Sequence, residues 1–325
     1  MSRKTIVAIL LNCLFAGMLF AATKPKDDNT VDSLDYDFKI EWKNYGGAVT
    51  VKAFTVQREN LWYAANNMVV VQSLKSSARR TVSTIGDLST EEVTCMATDS
   101  SGKVWIGTPG GCAVEAGAKF TSFTTENGLS DNAVLCIVPS KSGVWVGTAN
   151  GLCLYNNGAF KSYTKENGLC GNKINAAVID YKTGAVWVGT DKGISVFTNG
   201  KWSSHTMNNG LSWNDTRALG YDPRSGYIWA AVGEKDVNCY TGKEWKVYMG
   251  ILDVLGSIMC DSQSRIWCGS PENGLVKYNG DEWIYDVAKT GIPVTKVYAT
   301  YRDEGGNLWF ASEKGLLRVN NPYPY

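Results

Sequence analysis

The sequence predicts an all-β fold, a seven-bladed β-propeller of four-stranded blades whose ring is closed by an N-terminal strand joining the last blade. Three observations lead there. Seven tryptophans, Trp62, Trp105, Trp145, Trp187, Trp229, Trp267 and Trp309, recur at intervals of 38 to 43 residues, which is the period of a propeller blade rather than of independent domains. Each repeat holds several short apolar runs broken by Gly, Asn, Asp and Ser turns. The last copy stops after "GLLRVNN" (315 to 321) without an outermost strand, and a fitting segment stands at the other end of the chain.

The inner part of each repeat comes first. "DSSGKVWIGTPGG" (99 to 111), "SKSGVWVGTANGL" (140 to 152) and "DYKTGAVWVGTDKGI" (180 to 194) superimpose with one-residue slips, and the copies around Trp229, Trp267 and Trp309 drift further. "RENLWYAANNMV" (58 to 69) is the weakest. Blade 3 parses most clearly into four strands, 133 to 138, 143 to 148, 152 to 155 and 160 to 164. Its inner strands are apolar at successive positions, as expected where neighbouring blades cover both faces of a sheet.

The tryptophans read as blade-to-blade packing. Burying roughly 150 to 250 Å² of side chain at about 25 cal/mol/Å² contributes at most on the order of 4 to 6 kcal/mol each. The small residue two positions later (Gly107, Gly147, Gly189, Ala231, Gly269, Ala311) reads as room for a neighbouring backbone. "YDFKIEWKNYGG" (36 to 47) is similar to the outer-strand stretch "EWKVYMG" (244 to 250), so it is expected to complete the seventh blade and remove a free sheet edge.

The core D-x-x-G-x-[IV]-W-[IV]-G-T-x-x-G-L, followed by an aromatic stretch and E-N-G-L, resembles the two-component regulator propeller repeat. The resemblance is close in blades 2 to 4, partial in blades 5 to 7 and poor in blade 1. It implies a sensing or binding module like the extracytoplasmic region of hybrid histidine kinases, with a membrane sensor kinase as an implied partner. The sequence itself holds no later apolar span and no kinase region, so the resemblance speaks more for fold than for signalling role.

The N-terminus reads as an export signal over 1–22: "SRK" is a short basic region, 5–22 an apolar one, and Ala21 and Ala22 offer a cleavage point. The apolar run is also long enough for a retained anchor. Residues 23–33 read as a flexible linker, 34–321 as the propeller and 322–325 as a tail. The expected location is the periplasm or cell surface, with no membrane span once the signal is removed. Thirty-two basic residues against 31 acidic, without a basic run, give no case for nucleic acid, and none is expected as a partner. Eight cysteines beyond Cys13 fall mostly in predicted strands and read as buried thiols, with Cys260 and Cys268 the pair to test for a disulfide. With no C-x-x-C and one histidine, no metal site or cofactor is expected.

The repeats also separate scaffold from site. Asn132, Asn172 and Asn214, each three residues after the leucine of N-G-L, are expected to satisfy backbone groups in the turn. Asp99, Asp180, Asp222, Asp261 and Asp303, which open each hairpin, read the same way and not as catalytic acids. Residues that differ at equivalent positions entering the inner strands are the ligand-binding candidates: Glu92, Lys173, Asn175, Asp215, Arg217, Lys296 and Tyr298. Trp213 joins them, since it belongs to no blade period and replaces Asp131 and Gly171. An exposed indole beside Asp215 and Arg217 suits a sugar ring or a protein partner, although it could equally fold back on its loop. His205, placed on an outer strand, reads as a solvated edge residue rather than a general base, and no catalytic constellation stands out. The expected function is therefore binding or sensing of an oligosaccharide or protein ligand. Alternatives are an enzyme acting on polysaccharide, lyase or hydrolase, and a passive protein-interaction scaffold.

Overall fold

Seven copies of one antiparallel meander make the ring. The computed structural model describes residues 42–117, 119–251, 255–285 and 292–320, all within one unit, 38–325. The segments expected to be an export signal, a linker and a tail lie outside the described residues. Among those described, the strands form seven four-stranded sheets, and in six of them the strands are consecutive in the chain. Blade 3 runs Val134–Ser140, Gly143–Thr148, Gly151–Asn156 and Ala159–Tyr163, within two residues of the sequence-based bounds.

The seventh sheet joins the chain ends. Trp42–Tyr45 lies antiparallel to Gly315–Val319, with Trp42 opposite Val319 and Tyr45 opposite Leu316. Tyr45 is buried and its ring sits 5.4 Å from that of Trp309, so the closing strand adds core as well as ladder bonds. The expected contribution of residues 36–41 falls outside the described residues.

The core is divided into seven apolar clusters, one at each blade-to-blade interface. Trp62 packs with Val104 and Ile106 of the next blade, Trp105 with Val144 and Val146, and so on round to Trp309, which meets Phe54 and Leu61 of blade 1. All seven period tryptophans are at most 7% exposed. Their indole N–H groups are handled unevenly. Trp105, Trp267 and Trp309 donate to Asp99, Asp261 and Asp303 at 2.9, 3.0 and 2.9 Å, and Trp62 donates to Gln57 at 2.9 Å. Those hairpin aspartates are therefore indole clamps, a more specific role than turn formation alone. The Asp99 carboxyl stays below its usual range although burial opposes this, because Ser101, Trp105 and backbone amides all donate to it.

The small residue after each tryptophan is also explained, with one adjustment. A Cβ on Gly107 would meet Cys95 Sγ at 2.5 Å and Val134 Cγ1 at 2.7 Å, and one on Gly147 would meet Cys136 Sγ and Ile174 Cγ2 at 2.5 and 2.6 Å. The space is taken by side chains of the same and the next blade rather than by a neighbouring backbone. Asn132, Asn172 and Asn214 each accept a backbone N–H at 2.8 Å, from Thr125, Lys165 and Met207. Each bond reaches back to the short 3₁₀ turn of the preceding blade, longer than the local Asx turn expected. The eight described cysteines are free thiols, including Cys260 and Cys268. These two lie two pairs apart in register, since Cys260 faces Ile266 and Cys268 faces Ile258.

Candidate functional site

The innermost strands, Ala53–Gln57, Cys95–Thr98, Val134–Ser140, Ile174–Ile179, Thr216–Tyr221, Ser257–Cys260 and Val297–Arg302, surround an axial channel of about 720 Å³. Its upper mouth is where these strands begin and its lower mouth where they end. Four of the strands start with a register shift that leaves one residue bulged: Leu135, Asn175, Arg217 and Tyr298. A bulge kinks a strand and re-aims its side chain. Three of these four are residues that the comparison of repeats singles out, so their divergence in the sequence coincides with a backbone feature at the mouth.

The candidates separate into three groups. Over blades 4 and 5, the Asn175 amide donates to Thr216 O at 3.0 Å and lies 3.5 Å from Asp215 Oδ1, while Arg217 Nε donates to Asp215 Oδ2 at 3.0 Å. Asn175 thus also stitches two blades, as Thr94 does by donating to Val134 O at 2.7 Å. The Asp215–Arg217 side chains are 43% and 32% exposed, so this pair contributes only about 0.2 to 1 kcal/mol to stability. Lys173 is exposed on the same rim. Trp213 is 54% exposed and lies against the turn of its own blade, where a Cβ on Gly233 would come within 2.7 Å of the indole. One face of the ring packs on its own loop and the rest meets solvent.

On blade 7, Lys296 is exposed and Tyr298 half-buried. The Glu313 carboxylate fixes this corner by accepting Thr295 N, Thr295 Oγ1 and Lys296 N at 3.0, 2.9 and 3.1 Å. Those bonds hold its pKa down against the opposing effect of burial. Glu92 stands apart from the other candidates, in a groove of about 660 Å³ between blades 1 and 2 that also takes in Lys52, Asn66, Asn67, Met68 and Thr94. Lys52 occupies in blade 1 the place of Thr94, Asn175 and Arg217, since Ala53 pairs with Ala64 as Cys95 pairs with Gly107. The drift of the first repeat hides that equivalence in the sequence.

His205 differs from expectation. Its ring stacks on Trp187 at 5.3 Å and 10°, and its Nδ1 accepts the Trp245 indole N–H at 3.2 Å. Burial depresses its pKa. It is a packed residue between blades 4 and 5 rather than a solvated one, and it lies on the outermost strand, Lys201–His205, away from the channel. Among the described residues no three His, Cys, Asp or Glu side chains cluster closely enough to hold a metal ion, and no helix is long and apolar enough to cross a membrane.

Residues 87–110, which include the Asp99 clamp and Trp105, match the family described as Two component regulator propeller. Over that stretch the chain is similar to the two component regulator propeller repeat. No curated protein matches the sequence. Among solved structures, the chain is similar to the extracellular domain assigned to the hybrid two component system BT3049 from B. thetaiotaomicron, at 20% identity and TM-score 0.69 over 86% of this chain and 41% of that one. The domain assigned to BT4673 of the same organism gives 17% and 0.66 over 86% and 40%. Streptogramin B lyase gives 16% and 0.65 over 86% of this chain and 97% of the lyase. The chain spans about two fifths of the length of the sensor domains, and at these identities the likeness is one of fold.

Proposed function

We propose that this propeller is an exported sensing module that binds a ligand at the upper mouth of its channel, over blades 4 and 5. The observation that carries the reading is Trp213, more than half exposed beside the bulged Arg217 and its partner Asp215. At the matching loop position Asp131 instead bonds its own backbone, accepting Ala133 N at 2.8 Å, so the indole is not dictated by the scaffold. A flat amphipathic ring with a charged pair alongside suits an oligosaccharide, by stacking and hydrogen bonding, or the apolar anchor of a protein partner. The likeness to extracellular sensor domains supports sensing, a location in the periplasm or at the cell surface, and a membrane sensor kinase as partner. A lyase or hydrolase reading gains little, because the single histidine is locked between Trp187 and Trp245.

Thermal-shift screening against a panel of oligosaccharides tests the proposal. A binder at 100 times its Kd raises stability by about 2.7 kcal/mol. Trp213→Ala combined with Arg217→Gln is expected to lower the melt of the free protein only slightly and to remove the shift. A shift that survives the double substitution places the ligand elsewhere, and a panel without any shift favours the scaffold reading.

A further inference from the structure

The lower mouth breaks the symmetry of the ring as clearly as the upper one. In blades 2, 6 and 7 the hairpin aspartate closes a short turn, with Asp99, Asp261 and Asp303 N donating to Lys103, Arg265 and Asn307 O. In blades 4 and 5 the turn is one residue longer, and Asp180 and Asp222 N donate to Ala185 and Tyr227 O. The longer turns carry Tyr181 and Pro223 to the channel end. There a pocket of about 220 Å³, continuous with the channel, is lined by Tyr181, Tyr221, Pro223, Thr300, Tyr301 and Arg302. Tyr181 and Tyr301 are 66% and 40% exposed, and Tyr181 meets Tyr221 edge-on at 5.8 Å.

Two further facts point to a ligand. The Arg302 guanidinium has no hydrogen bond or ion pair among the described residues, although it lines both cavities. The hydroxyl of Thr300 is buried without a hydrogen-bond partner among the described residues, and its side chain lines both this pocket and the channel it opens from. An unpaired buried hydroxyl is costly unless something supplies a partner. The nearby carboxylates do not neutralise the arginine in the same way. Asp303 is turned under its blade, accepting Asn307 and Trp309, and Glu304 is exposed at the rim. Burial, and then the Asp180 carboxylate that its hydroxyl faces, pushes Tyr221 up to about 12, so its phenol stays protonated.

We propose that the lower mouth is a second binding site, for a small ring bearing a carboxylate: the acid group pairs with Arg302, the ring lies against Tyr181 and Tyr301, and a polar substituent of the ring reaches the Thr300 hydroxyl. A planar guanidinium takes a carboxylate through two parallel N–H···O bonds, and exposed phenol faces take either a sugar or an aryl ring. The site is independent of the upper-mouth proposal and shares none of its residues.

Isothermal titration of the full chain with glucuronate, glucose and benzoate separates the outcomes. Binding of glucuronate or benzoate, at least about tenfold tighter than glucose (1.4 kcal/mol by the usual conversion), supports the proposal. Glucuronate alone identifies a sugar acid and benzoate alone an aryl acid. Arg302→Gln is expected to cut acid affinity at least about tenfold, Tyr181→Ala to weaken it with an unchanged melt, and Glu304→Gln to strengthen it by removing a like charge at the rim. Trp213→Ala with Arg217→Gln is expected to leave it unchanged. Glucose binding as tightly as glucuronate, acid affinity unmoved by Arg302→Gln in a normally melting variant, loss of acid binding on the upper-mouth substitutions, or no acid bound at all overturns it.

Discussion

Blade 5 holds two tryptophans with opposite fates. Trp229 belongs to the repeat, is 5% exposed, and stacks on Tyr248 at 5.6 Å across from Tyr278 of the next blade. Trp213 stands outside the repeat and leaves more than half its surface in water. The same side chain is structural where the period repeats it and available where the period is broken. The contrast extends to the whole ring: the seven interfaces repeat one solution, while the two channel mouths differ blade by blade. Repetition therefore marks what the fold needs, and departure from it marks where the fold leaves chemistry free.

The largest test on the scaffold side is removal of residues 34 to 45. It strips the closing strand from Gly315–Val319 and takes Tyr45 from Trp309. Against a total stability of roughly 5 to 15 kcal/mol, the expected result is a sharply lower melting temperature by calorimetry. An unchanged melt would show that the ring closes without this strand.

Next in size are the indole clamps. Asp303→Ala leaves Trp309 Nε1 buried and unpaired and is expected to cost about 1 to 3 kcal/mol in urea denaturation. Trp145 is the internal control, because its indole nitrogen already lacks a partner. Trp145→Phe therefore gives up packing without breaking an indole bond, and Trp309→Phe should cost about 0.5 to 1.5 kcal/mol more than Trp145→Phe. Equal losses at the two positions would remove the clamp from the account.

A smaller effect follows from His205. Its folded pKa is depressed by burial, so the unfolded chain takes up the proton more readily. The associated stability is present above the unfolded value of about 6.5 and is lost as pH falls through it toward the folded value. Melts between pH 7.5 and pH 5 are expected to fall more for the native protein than for His205→Gln. Asp99 and Glu313, whose carboxyls are held low, act on the same sign but below about pH 4. A parallel decline in both proteins across pH 5 to 6.5 would show that His205 protonates as easily folded as unfolded.

Most of the scaffold was legible because a seven-fold repeat multiplies weak local signals. Trp62, the poorest match by sequence, is as buried as the rest, since the packing demand on that position is the same in every blade. The site was legible only in part. Divergence at equivalent positions found Asn175, Arg217 and Tyr298, yet nothing in the composition shows that these residues are bulged, because a bulge depends on how two strands pair. Asn175 also has a scaffold role that divergence conceals, as its amide bonds the neighbouring blade. Lys52 was missed because blade 1 drifts too far to align, and the lower mouth because a one-residue lengthening of two turns looks like noise until Tyr181 and Arg302 are seen across the same opening.

The most direct test of the division between scaffold and site compares the two tryptophans of blade 5 in chemical denaturation. Trp229→Ala is expected to lose about 3 to 5 kcal/mol, and Trp213→Ala, which gives up only the one packed face of its ring, about 1 kcal/mol. Similar losses at both positions, or a larger one at Trp213, would contradict the assignment of one indole to packing and the other to recognition.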